Sequence, residues 1–172
     1  GILIKDLLNN LISKVGENIV INKFAKINCD ENSKIFGYVH NKYQENIGKI
    51  ACLLKIQSEL FDEELNNLAK NLCMHISATK PISIDIASLD KNVINNEKSI
   101  LLDNIKSSGK PKNIINKIID GKINKFYEEV VLLEQKFIID NETKIKDLLT
   151  NYCKNNNIKV NIIDFKLFVL GN

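Results

Sequence analysis

The chain has 172 residues, 44% of them hydrophobic and 26% charged, with a formal net charge of +3. That composition describes an ordinary globular domain long enough to bury a real core, and its mild net charge argues against a general nucleic-acid binder. No run of about 18 apolar residues occurs, which excludes a membrane-spanning helix.

In chain order, Ile2 to Val15 sets Ile4, Leu7, Leu8, Leu11 and Ile12 on one helical face, with Gly16 as the stop. Ile19 to Ile27, rich in β-branched and aromatic residues, predicts a first strand, closed by the polar turn Asp30-Glu31-Asn32-Ser33. Ile35 to His40 predicts a second strand and Ile47 to Gln57 a third, separated by the polar segment Asn41 to Asn46. An antiparallel meander follows from that order. Its central run, Ile50-Ala51-Cys52-Leu53-Leu54, is apolar throughout and should be the most buried. From Asp62 the period changes, and Leu65, Leu68, Ala69, Leu72, Cys73 and Ile76 predict a long helix across the sheet, ended by Lys80-Pro81. An extended connection through Ile82, Ile84 and Ile86 comes next.

Two further stripes, Val93, Ile94, Ile100, Leu101, Ile105 and then Ile114, Ile115, Ile118, Ile119, Ile123, Phe126, Val130, flank a Gly109-Lys110-Pro111 break. Gly109 can close one helix in the left-handed conformation, and Pro111, lacking an amide proton, suits the first turn of the next. The reading is an antiparallel helical hairpin over 88–133, its outer face carrying Lys106, Lys110, Lys112, Lys117, Lys122 and Lys125. Thr143 to Cys153 predicts a last helix, and Lys159 to Leu170 a strand returning to the sheet. The class is therefore α+β: an antiparallel sheet of three to four strands packed by helices, with the hairpin as an arm within a single domain, 1–172.

Candidate chemistry is sparse. Every basic residue is lysine, which cannot offer the flat two-pronged fork that arginine presents to phosphate. Cys29, Cys52, Cys73 and Cys153 lack the close spacing of metal or redox sites, so they read as reduced thiols of a cytosol-like compartment. Cys73 and His75 would point to different sides of a helix and make a poor nucleophile and base, so His75 reads as structural. Ser108-Gly109-Lys110 has neither the glycine spacing nor the preceding strand of a phosphate-binding loop. No cofactor or metal is expected. The competing readings are an RNA- or ribosome-binding module using the lysine-rich hairpin, for which Phe126 and Tyr127 are the nearby aromatics, and a small thiol or histidine enzyme.

Ser108, Gly109, Lys110, Pro111, Ile114, Lys117, Ile118, Gly121, Lys125, Phe126, Glu129, Val130, Leu132, Gln135 and Phe137 match, at fixed spacing, a pattern in the C-terminal half of one family. Lys14-Val15-Gly16-Glu17-Asn18-Ile19, Tyr38-Val39-His40 and Met74-His75-Ile76-Ser77-Ala78 with Lys80-Pro81 agree in order. The chain resembles elongation factor Ts over roughly residues 8 to 171.

The resemblance implies a non-catalytic guanine nucleotide exchange factor that binds elongation factor Tu and promotes GDP release by stabilising the nucleotide-free state. It implies that Val15, Gly16 and His40 lie against a helix of the GTPase's nucleotide domain. It places the protein in the bacterial cytoplasm or an organelle interior, and some family members pair through this region. The chain departs from the family pattern in three places. The small N-terminal helical domain and the half bearing a Thr-Asp-Phe motif find no match, and Asn41 to Asn46 replaces a shorter Gly-rich turn. Gly1 runs straight into an amphipathic pattern without a signal peptide, so the expectation is a processed or excised C-terminal core that binds the GTPase weakly and exchanges poorly alone.

Overall fold

The computed structural model describes residues 1–106 and 111–171. Two long strands, β1 (Ser33–Gln44) and β2 (Ile47–Ser58), form an antiparallel hairpin around the turn at Glu45 and Asn46. A late strand, β3 (Val160–Val169), returns antiparallel to the other edge of β2, giving the order β1-β2-β3. With five α-helices among the described residues, the fold is α+β.

The first expected strand does not form. Ile19 to Ile27 runs without ladder pairing, and Phe24 is 86% exposed. Its β-branched residues express a local preference only, and among the described residues the sheet is complete as β1-β2-β3 without it. The central run is also buried on one face only. Cys52, Leu54 and Ile56 are buried, whereas Ala51 and Leu53 on the alternate face are exposed. Val20, Asn22 and Lys23 line a hollow with Ala51 and Phe168 on that second face, and an antiparallel sheet tolerates the asymmetry.

Helix α2 (Glu63–Thr79) lies on the covered face. Asp62 starts it as the N-cap, its carboxylate accepting from the Leu65 amide at 2.7 Å and from the Tyr152 hydroxyl at 2.8 Å. The first of these bonds and then the second hold the Asp62 pKa below the ordinary carboxylate value. Leu65, Ala69, Leu72, Cys73 and Ile76 point into the core at three- and four-residue steps. There they meet Leu54 and Ile56 of the sheet, Leu132, and Ile145 of α5 (Ile145–Asn156). Burying each of these large side chains contributes about 1.5–3 kcal/mol.

Helix α1 (Ile4–Val15) is different: it has no buried residue, and of its apolar face only Leu8 and Ile12 are half-covered. Gly16 ends it at φ 76°, donating its N–H to the Ile12 carbonyl at 2.8 Å.

Helices α3 (Lys91–Lys106) and α4 (Lys112–Val130) pack through a small core of their own, Leu101 and Ile105 against Ile119 and Ile123. The stripes are thus partly realised, since Ile100 and Ile114 are exposed. Pro111 stands just before α4, while the expected break at Ser108, Gly109 and Lys110 lies outside the described residues. The connection after α2 is tied to the end of α4: the Ile82 amide donates to the Val130 carbonyl at 2.9 Å, and the Leu132 amide to Ser83 at 2.9 Å.

Candidate partner-binding site

Strand side chains alternate faces, so Phe36, Tyr38 and His40 stand in one row on the side of β1 that looks toward α2. Phe36 is buried, Tyr38 half-buried and His40 exposed, so the row climbs from the core to solvent. The Tyr38 hydroxyl and the His40 Nδ1 lie 3.0 Å apart, which steers the imidazole from below.

His40 was expected to end its strand beside a polar loop. Instead β1 continues to Gln44, and the segment from Asn41 folds back as strand. Two asparagines make this feasible: Asn41 and Asn46 take positive φ of 49° and 65°, which asparagine tolerates better than most residues. The ladder shifts register between Lys42 and Gln44, a bulge-like irregularity just past the histidine.

Beside this row, the end of α2 leaves a groove of about 310 Å³. Tyr38, His40 and Ile50 contribute from the sheet, and Met74, Ser77 and Ala78 from the helix. Lys80 and Ile138 complete the lining. The small side chains of Ser77 and Ala78 leave the space, while Met74 supplies an adaptable apolar surface. Lys80 closes α2 with its N–H on the Ile76 carbonyl at 2.9 Å and φ 51°. Among the described residues it is the one positive-φ position outside glycine and asparagine. A lysine held there costs on the order of 1 kcal/mol and fixes the chain's exit toward Pro81.

An apolar hollow rimmed by an imidazole and an ammonium can seat an apolar side chain and hydrogen-bond its polar surroundings. Cys73 does not line it. The neighbouring Cys52 thiol, followed by burial, pushes the Cys73 thiol pKa far up. Among the described residues no group of three or more His, Cys, Asp or Glu could hold a metal.

Val15 and Gly16 sit apart, at the exposed end of α1, and neither lines the His40 groove. On α4, Lys117, Lys122 and Lys125 are exposed, but Tyr127 packs against the hairpin core instead of offering its face for stacking. Met74, Ser77, Ala78 and Ile138 had no assigned role from the sequence. Small residues in the last turn of a buried helix hint at a hollow; Ile138, in an irregular stretch, carries no periodic signal.

A sequence profile described as "Elongation factor TS" matches residues 1–172. The chain belongs to the elongation factor Ts family. It is 36% identical over 171 residues to the elongation factor Ts of Rhodospirillum centenum, covering 99% of this chain and 55% of that relative. It is 35% identical over 168 residues to the elongation factor Ts of Ehrlichia ruminantium strain Gardel, covering 98% and 58%. The corresponding values for that of Orientia tsutsugamushi strain Boryong are 34% over 171 residues, 99% and 55%. The chain thus spans just over half the length of these elongation factor Ts relatives. No described helix is long and apolar enough to cross a membrane.

Proposed function

We propose that this chain is the docking core of a guanine nucleotide exchange factor in translation elongation. It binds elongation factor Tu through the His40 groove and the Val15-Gly16 end of α1. Its mechanism is differential binding: a surface that fits the nucleotide-free GTPase better than the GDP-bound one lowers GDP affinity by the same factor, with no covalent step. The cytoplasm of a bacterium, or an organelle descended from one, is the compartment this role requires.

The observation that carries the proposal is the exposed His40 over an apolar groove, in a chain matched by the family over its whole length. Two separate segments that resemble the family, Tyr38-Val39-His40 and Met74 to Lys80, contribute to that one groove. The test is release of a fluorescent GDP analogue from elongation factor Tu, with a parallel pull-down. The chain should be captured weakly by the GTPase and accelerate release only slightly on its own, and His40→Ala should weaken capture by about ten-fold, the equivalent of one good polar contact. Equal capture by wild type and His40→Ala would remove the groove from the docking surface.

A further inference from the structure

The groove has one wall built on α2 and another, Ile138, on an irregular segment between α4 and α5. Something must hold the second wall against the first. His75 is the group placed to do so, because it follows Met74 in α2 and its side chain is fully buried against that segment. Its Nδ1 accepts the Ile138 backbone N–H at 3.3 Å. Since Nδ1 accepts, the ring proton sits on Nε2, which donates to the Gln135 Oε1 at 2.9 Å. The same Gln135 oxygen accepts from the Thr79 hydroxyl at 2.9 Å, and the Gln135 amide donates to the Glu129 carbonyl at 2.7 Å. The Phe137 ring lies 6.0 Å from the imidazole, centroid to centroid. Both ends of the stretch from Gln135 to Ile138 are therefore fastened to a single side chain of α2.

We infer that His75 is a positioning residue: through Nδ1 it clamps the Ile138 wall, and so sets the width of the groove in which elongation factor Tu docks. The inference rests on the docking reading above. It assigns His75 no contact with the partner; it acts through Ile138. A merely structural histidine would matter only through stability, so the two nitrogens must be separated experimentally. Asparagine places an acceptor near the Nδ1 position, whereas glutamine reaches the Nε2 position and leaves the Ile138 N–H without its acceptor.

The experiment measures Ile138 amide exchange by NMR on the full 172-residue chain, and affinity for nucleotide-free elongation factor Tu, for His75→Asn and His75→Gln. His75→Asn should keep Ile138 protected and bind within about three-fold of wild type. His75→Gln should exchange Ile138 at least about ten-fold faster and bind about ten-fold more weakly, although both variants lose similar packing. Ile138→Ala, at a half-exposed position, should weaken binding with the fold intact, and it serves if either His75 variant fails to fold. Unchanged Ile138 exchange in His75→Gln overturns the clamp while leaving docking at His40 standing. Binding losses that follow each variant's stability loss overturn it too, as does wild-type binding by Ile138→Ala. Faster exchange with wild-type binding in both His75→Gln and His40→Ala overturns the docking role and the inference with it.

Discussion

Gly48 of β2 lies so close to His40 of β1 that a Cβ on it would come within 2.7 Å of the His40 carbonyl oxygen. It would also meet the Asn41 carbonyl oxygen at 3.0 Å and the Val39 side chain at 2.6 Å. Two of those three atoms are backbone, which cannot swing aside as a side-chain tip can. Gly48→Ala must therefore push the strands apart where His40 is presented. The expected cost is about 1–3 kcal/mol, as for overpacking elsewhere, and the displaced strand should weaken binding to elongation factor Tu beyond the stability loss. Urea unfolding together with a binding isotherm checks both; a variant as stable and as tight as wild type contradicts the geometry.

Gly121 supplies the opposite case. It lies inside α4, and a Cβ there would meet nothing within 4 Å. Helical glycine costs about 0.8–1.0 kcal/mol relative to alanine, so Gly121→Ala should stabilise the hairpin by that order. Because α3 and α4 pack through their own small core, the gain should appear first as slower amide exchange in the two helices. No change in hairpin exchange, or faster exchange, would count against the open surroundings of this position.

The four thiols should divide by exposure. Cys29 is exposed, Cys153 half-buried, and Cys52 and Cys73 are buried against each other in the core between β2 and α2. The thiolate is the nucleophile that attacks a disulfide reagent, and the neighbouring Cys52 thiol together with burial keeps Cys73 protonated. In native buffer one thiol should react fast and one slowly, and denaturant should release the remaining two. Fast titration of three or four thiols would contradict the packing of α2 on the sheet.

What was legible in the sequence was what is local. Asp62 before a three- and four-residue apolar period announced both the start and the buried face of α2, and its carboxylate caps the Leu65 amide. Gly16 stopped α1 as a glycine should. Ile19 to Ile27 misled because pairing is a non-local decision: the segment has strand chemistry but pairs with no strand among the described residues. Asn41 to Asn46 misled in the reverse sense, its polar residues suggesting a loop while Asn41 at a left-handed φ carries the strand on and Asn46 makes the turn. His40 is a candidate through its resemblance to a motif, whereas Ile138 and Gln135 are tied to His75 by hydrogen bonds spanning some sixty residues of sequence, which no window of the chain displays.

The same buried network makes stability depend on pH in a defined direction. Burial, opposed only in part by the Gln135 bond, holds the His75 pKa below its ordinary value. The folded chain therefore keeps His75 neutral at pH values where the unfolded chain has begun to protonate it, near pH 6.5. The contribution is fully present above that value and is lost as pH falls toward the depressed folded pKa, because the unfolded state binds the extra proton. A proton on Nδ1 would also face the Ile138 N–H, donor against donor. Asp62, Glu134 and Asp140 have lowered pKa values and titrate below this range, so a loss between about pH 6.5 and 5 is not theirs, and His75→Asn assigns it. Urea midpoints measured at pH 7.5, 6.5 and 5.5 should fall in that order in wild type, and the fall from pH 6.5 to 5.5 should be flattened in His75→Asn. A wild-type midpoint that holds or rises toward pH 5.5 would mean that the imidazole charges in place, and would contradict the accepting role of Nδ1.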